Sequence, residues 1–144
     1  MADYYTDCCF EIKLTNPKEG WDKVDLIHRE FSGILEDEDG NGFSYDKDGG
    51  APIENRRGYL ESQDGWTDVN NLVHFLQLLV VENLIEPVGF EWANHCNKQR
   101  TDAFGGGVAY VSKTETTIIC TSDMLRLLEK EHALIEAEKI QNEK

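Results

Sequence analysis

Three consecutive glycines, Gly105, Gly106 and Gly107, lie between two apolar runs that have the character of β-strands. Glycine loses more backbone freedom on folding than any other residue, so such a triplet indicates that backbone conformation matters more there than a side chain. No helix-forming pattern follows it, unlike dinucleotide-binding and P-loop motifs, in which a helix N-terminus faces the phosphate. The favoured interpretation is a turn or bulge that shapes a sheet, with an aromatic such as Trp92 packing closely against it.

Basic residues beside the glycines leave a second interpretation open. Lys98 and Arg100 lie just upstream in an otherwise acidic chain, and His95 adds a hydrogen-bond donor. Successive backbone N–H groups can form a concave nest for an anion, and an arginine can hold a phosphate through two parallel hydrogen bonds. A small anionic ligand such as a nucleotide would then be bound by His95, Lys98, Arg100, Gly105, Gly106 and Gly107.

The charge balance limits the classes of partner. Acidic residues number 28 against 14 Lys and Arg, which gives a formal net charge of −14. Such a charge repels nucleic acid and anionic membranes and favours proteins with basic surfaces. No apolar run is long enough to span a membrane, no secretory signal pattern begins the sequence, and no Cys-x-x-Cys pair occurs. We therefore expect a cytoplasmic protein with reduced cysteines, no cofactor, and no direct nucleic-acid or membrane partner.

Hydrophobic periodicity predicts the secondary structure. Alternation predicts strands at residues 8–14, 43–45, 58–63, 88–94, 107–112 and 116–120. Spacing of three and four predicts helices over 18–35, over 67–83 with Thr67 or Asp68 as N-cap, and from Thr121 or Ser122 onward, with an apolar side that includes Met124, Leu125 and Leu128. Tyr4 and Tyr5 are assigned either to an interface or to a disordered amino terminus.

This order of elements predicts an α+β fold. We expect one domain over residues 1–144, with a mostly antiparallel sheet of five to six strands and about three helices packed on it. The charged segment 136–144 is expected to fray.

An acidic loop follows the first predicted helix and is the first candidate for a contact with a basic protein. The acidic residues assigned to this contact are Asp37, Glu38, Asp39, Asp46 and Asp48.

The same loop partly resembles the calcium loop of an EF-hand. Asp37, Asp39, Asn41 and Asp48 occupy positions one, three, five and twelve. Position twelve lacks the bidentate glutamate, however, and the segment Gly49-Gly50-Ala51-Pro52 forbids an exiting helix. A solvated hairpin turning at residues 41–42 is therefore favoured over specific calcium binding.

Cysteine and histidine chemistry is a weaker alternative. His95 adjoins Cys96, but neighbours on a strand face opposite ways, so His95 is poorly placed to activate that thiol. Zinc needs three or four suitably spaced ligands, and only these two residues cluster. An enzyme that uses Cys96 or His95 stays open, although a non-enzymatic protein is favoured.

The central third of the chain, residues 59–111, resembles a group of small uncharacterised proteins of bacteria and their phages. The signature that carries the resemblance is Cys96-x-Lys98-x-Arg100 followed by Phe104-Gly105-Gly106-Gly107. Asn97 and Gln99 depart from it, because serine and proline are usual there. The resemblance implies a shared fold and a phage or mobile-element origin, and it implies no activity.

These observations favour a small acidic protein that binds a basic host protein, in the host cytoplasm if it is phage-encoded. Mimicry of the charge of a nucleic-acid backbone would allow such a protein to inhibit a nucleic-acid-targeting defence complex. The alternative is a binding protein for a small anionic ligand at the Lys98, Arg100 and Gly105 to Gly107 loop.

Overall fold

The computed structural model describes residues 4–16, 20–34, 43–47, 57–62, 67–98 and 104–142. Within these ranges the chain forms seven strands and three helices: β1 (Tyr4–Asp7), β2 (Cys9–Lys13), α1 (Gly20–Ile34), β3 (Phe43–Lys47), β4 (Arg57–Ser62), α2 (Val69–Val81), β5 (Val88–Cys96), β6 (Gly105–Val111), β7 (Thr116–Cys120) and α3 (Thr121–Asn142).

The strands form two antiparallel sheets. One has four strands in the order β1-β5-β6-β7, and the other has three in the order β2-β4-β3. The α+β class and the antiparallel pairing are therefore confirmed, but the strands are divided between two sheets rather than gathered into one. Cys8 separates β1 from β2, so the chain passes from one sheet to the other at this residue, and its carbonyl accepts a hydrogen bond from the Ser62 N–H at 2.9 Å.

Tyr4 and Tyr5 lie in strand β1, which corrects the alternative that assigned them to a disordered amino terminus. β1 pairs with β5, so that Tyr5 lies opposite His95 and Asp7 lies opposite Ala93. At its other end β2 is held to the segment after α2, where Leu14 forms a bridge with Ile85. The strand predicted at residues 8–14 corresponds to β2, while β1 is an additional strand that the sequence does not predict.

Helix α2 packs on one face of the four-stranded sheet, and α1 packs against α2 through Phe31 and Phe75. The apolar stripe predicted for α2 is confirmed, since Leu72, Leu76 and Leu79 are fully buried. Alternation in β5 and β6 turns Phe90 and Val111 into the same core. Asp68 caps α2 by accepting a hydrogen bond from the Asn71 N–H at 3.0 Å.

The glycine run lies inside a strand. Asn94 pairs with Gly105, Ala93 with Gly106 and Trp92 with Gly107, so β6 begins two residues earlier than predicted. The close approach of Trp92 is confirmed, because a Cβ at Gly107 would lie 2.5 Å from its indole ring and 2.3 Å from the Ile119 carbonyl oxygen.

The last helix differs from its prediction. α3 follows β7 without an intervening residue and extends from Thr121 to Asn142. Fraying of the segment 136–144 stays a prediction. None of its residues is buried, and the apolar side that includes Met124, Leu125 and Leu128 is exposed. Three helices are present as predicted, but only two of them contribute to the core. Among the described helices none is long and apolar enough to cross a bilayer.

Candidate functional site: an acidic groove at the junction of the two sheets

A groove of about 530 Å³ opens where β1, β2, β4 and β5 meet. Its lining residues are Asp7, Cys8, Cys9, Glu61, Ser62, Glu91, Trp92 and Ala93. Strand alternation explains the lining, because Leu60 and Phe90 point into the core and their neighbours Glu61 and Glu91 are exposed. The crossing of the chain between sheets at Cys8 places Asp7 beside them. We call this feature the acidic groove.

Asp7 is held in place by two neighbours. The Ser62 hydroxyl donates a hydrogen bond to Asp7 Oδ1 at 2.9 Å, and His95 Nε2 contacts Asp7 Oδ2. The hydrogen bond from His95, followed by that from Ser62, holds the pKa of Asp7 below its ordinary value of 3.8. Tyr5 stacks on the imidazole, with ring centroids 4.9 Å apart and planes 18° apart. Asp7 is therefore an ionised, positioned carboxylate near neutral pH.

The other two carboxylates of the groove have no such support. Neither the Glu61 nor the Glu91 side chain makes a hydrogen bond or ion pair with any residue in the part of the chain that the structure describes. Both side chains are exposed to solvent. They are therefore available to a cationic group that enters the groove.

Asp7, His95 and Ser62 are not arranged as a catalytic triad, in which a histidine base contacts the nucleophile. The carboxylate lies between the hydroxyl and the imidazole, whereas a hydrolytic triad needs the imidazole in the middle. His95 and Cys96 also face opposite sides of β5, and the Cys96 thiol contacts the Asn97 amide oxygen at 3.8 Å. This cluster positions a carboxylate rather than activating a nucleophile.

The adjacent cysteines of the groove have different environments. Burial raises the pKa of the Cys8 thiol to about 11, and a hydrogen bond with Thr67 only partly offsets this effect. The side chain of Cys9, the next residue, is exposed. None of the four thiols forms a disulfide in this structure, and Cys8 belongs to the buried core while Cys120 packs against it partly buried.

The residues predicted to hold an anion are only partly brought together. The Gly106 N–H donates to Thr121 Oγ1 at 3.0 Å, and His95 contacts Asp7. Lys98 is exposed near the end of β5, while Arg100 lies outside the described residues. The glycine amides belong to a paired strand, and an anion site at this position stays a prediction.

The predicted acidic loop lies almost entirely outside the described residues. Asp37, Glu38, Asp39 and Asp48 cannot be placed, and the same applies to the calcium candidate Asn41. Asp46 falls in β3, opposite Tyr59 of β4. No group of three or more His, Cys, Asp or Glu residues within the described ranges is arranged to hold a metal ion.

Sequence reasoning missed the acidic groove. Alternation alone indicates that Glu61 and Glu91 point away from the core, and this was the one signal available. Nothing local indicates that the end of β4 and the middle of β5 lie beside Asp7, because that juxtaposition depends on the division into two sheets.

The chain was compared with known protein families, curated proteins and solved structures. No protein-family model, curated protein or solved structure matches this chain. A function is therefore proposed from the geometry of the groove and the charge of the molecule.

Proposed function

We propose that this chain is a non-enzymatic binding protein for a basic protein, and that the acidic groove receives an arginine or lysine side chain of that partner. The observation that carries the proposal is the convergence of Asp7, Glu61 and Glu91 on one open concavity. The volume of about 530 Å³ is within the range of sites that enclose a small group.

Electrostatic attraction would act on the partner at two distances. The net charge of −14 attracts a basic surface before contact and accelerates the encounter. At contact, a guanidinium can form paired hydrogen bonds with a carboxylate. Glu61 and Glu91 supply acceptors for this contact, while Asp7 keeps its own orientation through Ser62 and His95.

The test compares two variants that change the charge equally. The probe is a synthetic peptide of alternating arginine and glycine, titrated calorimetrically against the wild type. The groove variant combines Glu61→Gln and Glu91→Gln. The matched control combines Glu82→Gln and Glu86→Gln, which are exposed but do not line the groove.

We expect the groove variant to bind about tenfold more weakly or worse, because it loses the hydrogen-bond acceptors of the site. The control should change the affinity less than about twofold, through long-range charge alone. Equal weakening by both variants would show that attraction is diffuse and that the groove is not the site.

The acidic loop remains part of this proposal as a source of long-range attraction. Changing Asp37, Asp39, Asp46 and Asp48 together to Asn should weaken peptide binding, and more so at low salt. Unchanged affinity would remove the loop from the mechanism while leaving the groove test intact.

We further propose that the partner is a basic nucleic-acid-targeting protein of a host defence system and that the chain is phage-encoded. The net charge and the Cys96-to-Gly107 signature support this identification of the partner class. The measurement is displacement of fluorescent duplex DNA from such a protein, which the wild type should achieve and the groove variant should not. If the wild type and the groove variant displaced the DNA at the same concentration, the groove would have no role in the displacement.

A further inference from the structure

Helix α3 carries an apolar stripe that no other element among the described residues covers. The stripe, which we call the α3 stripe, consists of Met124, Leu127, Leu128, Leu134 and Ile135, each at least 50% exposed. At 100° per residue these side chains lie within about a third of the helix circumference. Aliphatic side chains in such a band are usually buried against a second element.

The junction with β7 explains why α3 stays uncovered. β7 ends at Cys120 and α3 begins at Thr121, so no loop residue separates them. A helix that folds back over the strand before it needs a connection of a few residues. The Thr121 hydroxyl accepts from the Gly106 N–H and fixes the first turn to β6. The α3 stripe therefore faces away from the core of its own chain.

The four-stranded sheet has a second uncovered apolar area on the face opposite α2. Val108, Tyr110 and Ile119, which we call the open-face residues, are 42%, 56% and 40% exposed. Beside them is a depression of about 340 Å³ over Gly89, where the strand presents no side chain opposite Tyr110. This depression is large enough to receive an aliphatic side chain.

The helix stripe and the open-face residues belong to one continuous surface. Met124 of the first turn of α3 lines a depression of about 250 Å³ together with Val108 and Ile119. The surface thus combines a ridge of aliphatic side chains with a hollow over Gly89. A shape that has both a ridge and a hollow can be complementary to a second copy of itself about a two-fold axis.

We propose that the α3 stripe and the open-face residues form a homodimer interface, whose occupant is a second copy of this chain. Each of the eight side chains has roughly 100 Å² exposed, so facing surfaces would bury about 800 Å² per protomer, the contribution of one partner to a standard interface. The apolar chemistry fits a like surface better than a basic partner, which the acidic groove serves. The acidic groove and this surface are adjacent, because Glu91 and Trp92 line both the groove and the depression beside Met124. None of the eight interface side chains lines the groove, so substitutions in the α3 stripe test dimerisation separately from the proposed function.

The experiment measures the molar mass of the full chain by sedimentation equilibrium up to about 100 μM at moderate salt. The interface variant combines Leu127→Lys and Leu134→Lys, which places two charges in the α3 stripe. The control combines Glu129→Gln and Glu136→Gln, which changes the net charge by the same amount on the opposite side of α3. Circular dichroism checks that both variants retain the helix.

The wild type and the control should reach twice the 16.4 kDa mass of one chain. The interface variant should remain a monomer, with a dissociation constant raised by at least about 100-fold. A wild type that stays monomeric over the whole range would overturn the proposal. Equal dissociation of both variants would overturn it as well, since charge rather than the stripe would then control assembly.

Discussion

At the scale of single residues, the contact between Trp92 and Gly107 determines how β5 and β6 pair. A Cβ added at Gly107 would lie too close to the indole ring and to the Ile119 carbonyl oxygen. We therefore expect Gly107→Ala to lower the free energy of unfolding by about 2–3 kcal/mol, as overpacking does in cores. Urea unfolding followed by circular dichroism measures this change.

The control for this substitution is Gly89→Ala in the adjacent strand. A Cβ there would meet Tyr110 Cδ2 at 3.0 Å, but the Tyr110 side chain is 56% exposed and free to move aside. The cost should stay below about 1 kcal/mol. Equal losses at both positions would contradict the role assigned to Trp92.

The Cys8 thiol makes the stability of the fold sensitive to alkaline pH. Its pKa is raised from 9.0 to about 11, so the unfolded chain ionises before the folded chain does. The contribution of the buried, protonated thiol to the free energy of unfolding is complete below pH 9 and is lost as the pH rises towards 11. We expect the stability difference between the wild type and Cys8→Ala to shrink between pH 7.5 and pH 10.5, measured from urea midpoints.

Comparison of the two proteins cancels the effects of the lysines and tyrosines that titrate in the same range. A stability difference that stays constant with pH would contradict the burial of this thiol. The same environment predicts that iodoacetamide modifies Cys9 well before Cys8 at pH 8, which peptide mass analysis would show.

At the scale of elements, the N-cap of α2 is the local interaction with the most direct test. Asp68 accepts the Asn71 N–H, which otherwise has no partner in the first turn of a helix. Asp68→Ala should lower the free energy of unfolding by about 1 kcal/mol. Asp68→Asn should retain most of the stability of the wild type, because asparagine also caps helices well. Thermal unfolding distinguishes them, and equal destabilisation by both would indicate that the charge rather than the cap matters.

The elements that the sequence predicts well are those whose signals are local. The helix predicted over residues 67–83 corresponds to α2, because apolar spacing and capping both act within the helix itself. β1 has no comparable signal. It becomes a strand through pairing with β5, and the Thr6 hydroxyl bonds Asn94 across 88 residues of chain.

Non-local relations account for the rest. The apolar pattern of α3 predicts a buried side, but a side chain is buried only where a second element packs against it. Because α3 follows β7 directly, the helix does not fold back over the sheet, and none of its residues is buried. The acidic groove depends in the same way on which strands become neighbours. Residue types and periodicity define the faces of elements, and only the arrangement of the two sheets decides which faces meet.

At the scale of the whole molecule, the net charge of −14 makes the two proposed interactions respond oppositely to salt. Dimerisation brings like charges together, so raising NaCl from about 0.05 to about 0.5 M should strengthen it by screening. Binding of the arginine-glycine peptide should weaken over the same range. Sedimentation and calorimetry in one salt series test both, and a dimer that dissociates as salt rises would contradict an apolar interface.

The position of Trp92 makes this residue a built-in optical reporter. Its indole packs over Gly107, while the residue lines both the acidic groove and the depression beside Met124. Indole emission depends on the polarity around the ring. In a chain whose other tryptophans, Trp21 and Trp66, are changed to Phe, a ligand in the groove and a second copy against α3 would each alter the same emission spectrum. One fluorophore that the sequence already encodes thus allows both events to be followed in solution without a label.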